Sequence, residues 1–288
     1  MAKRTKDEIT GTETTGHEWD GVTELDTPLP RWWLFIFYGT IIWAVIYWVL
    51  MPAWPTLGGH TRGLLGQSDR ANVVKDVGAL EASRAPMFQK LAATPLDQVQ
   101  SNPELLQFAQ EAGKSAFADN CATCHGEGGQ GAKGYPSLVD DVWIWDGSVA
   151  GIKQSIFYGI RNGHPKARET IMPAFGRDAL LEPQQIEQLT QHVLAISGNK
   201  ANATQAAAGA AIFAVQCSSC HGVAGKGDQA QGAPNLTDKE WLYGGTKDDI
   251  YNQIWNARGG VMPVWSERLN TGTIDALTVY VHSLGGGT

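Results

Sequence analysis

Charge is scarce in this 288-residue chain: Asp, Glu, Lys and Arg together make up 18%. That excludes a coiled coil and an acidic-tail protein, both of which need far more. Basic residues are the scarcer sign, 22 against 29 acidic, for a formal net charge of −7. Nucleic-acid binders carry a basic face, so no nucleic-acid partner is expected. Cysteine is limited to four residues and methionine to five. Strand signals are weak, and only one apolar run is long. Against these shortages stand 34 glycines, which imply much loop and turn. A hydrophobic content of 43% excludes a wholly disordered chain.

The long run is Trp32 to Met51, 20 residues without a charge. As a helix it spans about 30 Å, the thickness of a bilayer's hydrocarbon core. Leu29, Pro30 and Arg31 close one end, Pro52 and Pro55 the other. Trp32, Trp33, Trp48 and Trp54 lie near the ends, as an aromatic belt does. The run is too long and starts too late for a cleaved signal peptide, and no small-residue cleavage site follows it. A buried helix of a soluble protein is the alternative. Gly39, Trp43 and Tyr47 share one helix face, which suits packing on another helix; plain tolerance of lipid is the competing account. The expected layout is a segment over 1–31, a transmembrane helix over 32–54 and a linker over 55–102. The flanking charges (Lys3, Arg4, Lys6 and Arg31 before the span, Arg62 and Arg70 after it) leave its orientation open.

The rest of the chain repeats itself. Gly113, Phe117, Cys121, Cys124, His125 and Gly126 recur at identical spacing as Gly209, Phe213, Cys217, Cys220, His221 and Gly222. Pro136 answers Pro234, the stretch from Trp143 answers that from Trp241, and Met172-Pro173 answers Met262-Pro263. Residues 189–198 match 277–286 without a gap. The soluble part thus reads as two modules, 103–200 and 201–288, each expected to hold its own core. The first carries an insertion at 164–170 ahead of its methionine. Periodicity predicts helices over 104–119 and 205–216, running into the cysteines, and terminal helices over 182–197 and 273–284. Shorter helices hold Ile152 with Ile156 and Ile250 with Ile254. A short helix around Val73, Val74, Val77 and Leu80 is expected to break before Pro86 and Pro95.

Cys-x-x-Cys-His is the attachment signature of c-type haem. The two thiols add to the haem vinyl groups as thioethers, and the adjacent His reaches the iron. A redox disulfide pair prefers a strand-to-helix junction, but the upstream segment here reads as helix. Zinc needs four ligands from pairs usually about 15–20 residues apart, whereas Cys121 and Cys217 lie 96 positions apart. A structural disulfide across two residues is disfavoured. The cofactors expected are therefore two covalently bound haem c groups, on Cys121 and Cys124 and on Cys217 and Cys220, with His125 and His221 on the irons. Met172 and Met262 occupy matching places and are the expected sixth ligands, ahead of His164, His192 and His282, which have no counterparts. With both axial positions filled, the chemistry is outer-sphere electron transfer. The Pro136 and Pro234 carbonyls are expected to accept the His Nδ1–H. Arg161 and Arg258, in matching turns, either pair with haem propionates or are simply solvated. The fold class expected is all-α: one N-terminal transmembrane helix followed by two tandem cytochrome c-like haem domains.

The block Gly16-His17-Glu18-Trp19-Asp20-Gly21, then Glu24 to Pro30 and a Trp-rich span ahead of two haem motifs, narrows this further. Together with Gly63 to Ser68, it resembles the CcoP (FixP) subunit of cbb-type cytochrome c oxidase, a haem-copper oxidase, over almost the whole chain. Some members of that family have two N-terminal spans; this chain has one. The resemblance implies a non-catalytic subunit of the inner membrane, with 1–31 cytoplasmic and both modules periplasmic. It implies electron intake from a donor cytochrome c or a cytochrome bc complex. The electrons then pass to the monohaem cytochrome c subunit and on to the haem-copper catalytic subunit. A free-standing membrane-tethered carrier and a dihaem peroxidase are the competing functions. Matched methionines argue against the peroxidase, which needs an open iron.

Residues 103–198 hold 7 basic and 11 acidic side chains. Asp140, Asp141 and Asp146 are candidates for steering a basic donor; solvated loops are the plainer account. Steering predicts that Asp140→Asn with Asp141→Asn flattens the salt dependence of cytochrome c oxidation. An unchanged salt dependence removes the idea.

Overall fold

The computed structural model describes residues 4–285; Lys3 and Gly286, used above in the charge count and the repeat, lie outside the described residues. The chain divides between Ala82 and Ser83 into two units. The first opens with a hairpin, β1 (Thr14–Trp19) against β2 (Val22–Leu25). Its turn is Asp20-Gly21, with φ of 48° and 86°. A two-residue hairpin turn of this hand needs positive φ at both positions, and Asp-Gly is among the dipeptides best suited to it. That dipeptide was the strand signal that alternation failed to give. A second small hairpin pairs β3 (Pro55–Thr56) with β4 (Gly59–His60).

Between them lies α1 (Arg31–Leu50), with a mean hydropathy of 1.9 over an 18-residue stretch and no buried residue. A soluble protein's core helix would be covered; this one leaves its apolar surface open, as a membrane helix does. Pro52 disfavours the helical conformation at Met51, whose backbone is extended, so the helix stops at Leu50, short of the expected Trp54. Trp43 and Tyr47 stack with ring centroids 5.4 Å apart on the face that Gly39 leaves open. Trp48 and Trp54 meet edge-on at 4.8 Å near one end.

Helix α2 (Asp69–Ala93) runs through Pro86 instead of ending before it. Proline costs its own bond to the carbonyl of Ala82, the residue at which the two units divide. Beyond it, Met87, Phe88 and Leu91 pack with Leu96 and Val99 on an apolar cluster that includes Leu105 and Ala109. That burial holds the rest of the helix in place. The second half of the expected linker is therefore part of the folded second unit.

In this unit the repeat elements are α3 (Pro103–Asn120), α4 (Ala122–His125), α5 (Val149–Tyr158) and α6 (Pro183–Ile196) in the first copy. The second copy supplies α7 (Ala203–Gln216), α8 (Ser218–His221), α9 (Lys247–Asn256) and α10 (Thr271–His282). Capping is regular: Asn102, Ser148, Asn202, Thr246 and Asn270 each accept a backbone N–H at a helix start.

The packing does not follow sequence order. Helix α10 lies on α3 and α5, while α6 lies on α7 and α9. One core holds Phe117, Ile152 and Ile156 of the first copy with Ile274, Leu277 and Val281 of the second. The other holds Phe213, Ile250 and Ile254 with Ile186, Leu189 and Val193. The expectation that each copy builds its own core is thus corrected: each supplies the other's terminal helix. The physical reason lies in the short turn 197–202. Two helices joined by so short a loop pack as an antiparallel hairpin, and that claims α6 for α7.

Both crossings are glycine contacts. A Cβ on Gly113 would strike the Ala276 carbonyl and Tyr280, and one on Gly209 the Gln188 carbonyl and His192. Ion pairs run the same way, Lys153 to Asp275 and Lys247 to Glu187. Gly113→Ala and Gly209→Ala should each destabilise the protein by about 1–3 kcal/mol through overpacking. Denaturant unfolding of the full chain checks this; unshifted midpoints contradict the close crossings.

Candidate functional site

Helix α3 ends at Cys121, whose backbone opens the four-residue helix α4 carrying Cys124 and His125. Cys217, α8, Cys220 and His221 repeat this. All four thiols are free. Burial, with a smaller contribution from the neighbouring Cys124 or Cys220, raises Cys121 and Cys217 to about 11. Redox-active pairs have lowered thiols, so this environment opposes disulfide chemistry.

The histidines are oriented by backbone. His125 Nδ1 lies 3.0 Å from the Pro136 oxygen, and His221 Nδ1 lies 3.0 Å from the Pro234 oxygen. A carbonyl only accepts, so each Nδ1 carries the proton and Nε2 keeps its lone pair. Burial pushes both imidazoles below their usual pKa, and the carbonyl bonds oppose it only partly. The result is a neutral ring of fixed tautomer, the form that binds a metal. The loops that carry the carbonyls close on the motifs: Gly131 N–H donates to the His125 oxygen at 2.7 Å and Gly227 N–H to that of His221 at 2.8 Å.

Among the described residues, no three His, Cys, Asp or Glu side chains gather as a metal cluster. An ion at either imidazole then needs another donor, and a methionine borders the same core as each cysteine motif. Met262, half-buried, packs on the core that Cys121, Ala122, Leu138 and Trp143 also line. Met172 packs on the core that Cys217, Leu236 and Trp241 line. Each methionine thus joins the cysteine motif of the other copy. The three remaining module histidines have other contacts. His164 stacks on Tyr158 at 5.1 Å, His192 packs on Phe213 at 5.0 Å, and His282 Nδ1 is 3.2 Å from Gln100 Nε2.

Arg161 is a strut. From a left-handed backbone (φ 51°) it donates to the Gly260 oxygen at 2.8 Å and the Thr170 oxygen at 3.1 Å. Arg258 instead lies over the Tyr243 ring, 5.3 Å from its centroid. With α5 set against α9 end to end, Arg258 falls opposite Ile160, so the two arginines are not structural equivalents. Sequence reasoning passed over Arg168 in the insertion. Its guanidinium covers the Trp145 ring at 4.8 Å and donates to the Gly151 oxygen at 3.2 Å. Its Nε is buried and meets no acceptor, a donor left over for an anion such as a carboxylate. Nothing but the unmatched length of 164–170 pointed to it. Asp140 and Asp146 accept N–H bonds from Val142 and Ser148 and so serve local turns.

Paired thiols on one turn, neutral imidazoles with a free Nε2, a methionine on each adjoining core and an unpaired buried donor all suit a haem with propionates.

A family model described as the N-terminal domain of cytochrome oxidase-cbb3, FixP, matches residues 11–58. One described as cytochrome c oxidase, cbb3-type, subunit III, matches residues 108–193 and again 204–281. The cbb3-type cytochrome c oxidase subunit FixP of Bradyrhizobium sp. (strain ORS 278) is 50% identical across 98% of this chain and 97% of its own. FixP of Azorhizobium caulinodans is 53% identical over 96% and 94%. The CcoP subunit of Cereibacter sphaeroides is 47% identical over 99% of both chains. With the membrane-length helix, the N-terminal block and both motif repeats included in these matches, the chain belongs to the CcoP/FixP family of cbb3-type cytochrome c oxidase subunits.

Proposed function

We propose that this chain is the membrane-anchored electron-intake subunit of a cbb3-type oxidase and carries two covalently bound haem c groups. The observation that carries this reading is the pair of His Nδ1–carbonyl bonds, each presenting a free Nε2 beside two thiols on one helical turn. Haem c would supply a one-electron ferric/ferrous couple. The protein supplies the rest. Cys121 with Cys124, and Cys217 with Cys220, would hold the two haems as thioethers. His125 and His221 would bind iron through Nε2, held in orientation by Pro136 and Pro234. Met262 would share the iron of His125 and Met172 that of His221, and the apolar cores beside them would keep water away. With two side chains on each iron no place would remain for substrate, so this chain would relay electrons and do no substrate chemistry itself.

Helix α1 anchors the chain, with 1–31 on the cytoplasmic side and both modules in the periplasm, where haem c is attached. Electrons arrive from a donor cytochrome c or a cytochrome bc complex. They leave toward the monohaem cytochrome c subunit and the haem-copper catalytic subunit. Arg168 Nε, rather than the engaged Arg161, is the better placed donor for a propionate.

Two experiments test this. A tagged chain purified in mild detergent should bring the haem-copper and monohaem subunits with it; a chain that always purifies alone is a free carrier. Cys121→Ala with Cys124→Ala, or Cys217→Ala with Cys220→Ala, should leave one covalent haem by mass spectrometry. A mass with both haems still attached contradicts the assignment.

A further inference from the structure

Ahead of the membrane helix, a folded segment lacks a core of its own. Ile9, Trp19, Val22, Leu25 and Leu29 are the large apolar side chains of residues 4–30, and every one is exposed. Trp19 and Val22 pair directly across the β1–β2 hairpin beside its Asp20-Gly21 turn, at 66% and 69% exposure. The buried side chain among residues 4–30 is Thr14, whose hydroxyl lies 3.1 Å from that of Thr5. Backbone bonds give the segment its shape: Thr14 N–H donates to the Thr5 oxygen at 2.8 Å, and Asp26 N–H to the Glu13 oxygen at 2.7 Å. A small hairpin without an apolar core is marginal in water, so its support has to come from outside.

We infer that this hairpin is a docking element, covered by the Lys/Arg-rich cytoplasmic loops of a neighbouring membrane subunit. The inference rests on the reading above, in which 1–31 is the cytoplasmic part of an oxidase subunit. It adds to that reading a second attachment, separate from α1.

Charge chooses the occupant. Residues 13–26 hold Glu13, Glu18, Asp20, Glu24 and Asp26 and no Lys or Arg. Arg4 pairs with Asp26 at 3.3 Å. Among the described residues, Glu18, Asp20 and Glu24 have no basic partner. Asp20 is in the turn beside the Trp19–Val22 pair, and Glu24, two positions from Val22, shares its face of the strand. Open carboxylates beside an exposed tryptophan repel the anionic lipid of a cytoplasmic leaflet. They suit a basic protein surface, and the cytoplasmic loops of membrane proteins carry an excess of Lys and Arg. An aromatic anchor with a charged rim is also how protein interfaces are commonly built. The tether says where that surface lies. Five residues, 26–30, join β2 to α1, so the end of the hairpin stays within about 20 Å of the start of the membrane helix. Pro28 and Pro30 stiffen the link. A hairpin held so near the bilayer meets the short loops of a membrane neighbour.

Hydrogen–deuterium exchange of the β1 and β2 amides, read by peptide mass spectrometry, tests this on the full chain. In the purified oxidase these amides should exchange at least about tenfold more slowly than in the haem-loaded chain alone in detergent. Equal exchange in the two states, fast or slow, overturns the inference. Slow exchange of the chain alone in nanodiscs of anionic lipid assigns the face to the bilayer and overturns it as well. Two variants probe the surface itself. Trp19→Ala with Val22→Ala removes the anchor. Asp20→Asn with Glu24→Gln removes charge, while Asn suits the turn as well as Asp does. Each should abolish the added protection in the oxidase with both haems still attached; protection that survives both overturns the inference. A chain that brings no oxidase subunit with it fails the subunit reading first, and the docking with it. One that brings them while its hairpin exchanges freely fails the docking alone.

Discussion

Two helix crossings set the geometry of the soluble part: α10 over Gly113 and α6 over Gly209. Each helix backbone approaches the facing glycine so closely that no side chain fits between them. The helices leading into the cysteine motifs are thereby clamped. Phe117 and Phe213, one turn ahead of the first cysteine, lock into the cores that the crossing helices complete. Thiols, imidazoles and methionines all hang from this clamp. Its strength is ordinary apolar burial, and its precision comes from the shortness of the contact.

On this frame the chemistry asks for little motion. The histidines are neutral and of one tautomer because a carbonyl holds Nδ1 and burial disfavours the imidazolium. Burial holds the Cys121 and Cys217 thiols in the protonated form. Electron transfer with minimal rearrangement needs such fixed ligands, and sharing terminal helices between the copies extends the rigidity from one site to both. An electron-transfer subunit built this way works between fixed points. It does not depend on two modules swinging independently on a tether.

Much of this was legible from residue types. Cys-x-x-Cys-His marks the proposed haem residues by spacing alone, and the Pro136 and Pro234 carbonyls meet the histidines as their matching positions lead one to expect. The helices followed from periodicity, and the span from its uncharged length. What spacing does not carry is partner choice. Ile186, Leu189 and Val193 present the same apolar face as Ile274, Leu277 and Val281, so either terminal helix fits either groove. The turn 197–202 and the paths of the two connecting strands decide, and these are chain-geometry effects. Pro86 misled for a similar reason: local propensity breaks the helix, while burial of Leu91 restores it. The Asp20-Gly21 turn is readable, but β2 is exposed throughout and the half of β1 that faces it near the turn is too, so no apolar alternation marks the strands.

The account stands most directly on which sulfur faces which histidine. A density map of the haem-loaded chain within its oxidase, with 159–172 and 257–262 traced continuously, measures this. The account predicts the side chain of Met262 over the iron bound by His125, and Met172 over that bound by His221. Met172 over the His125 iron contradicts it.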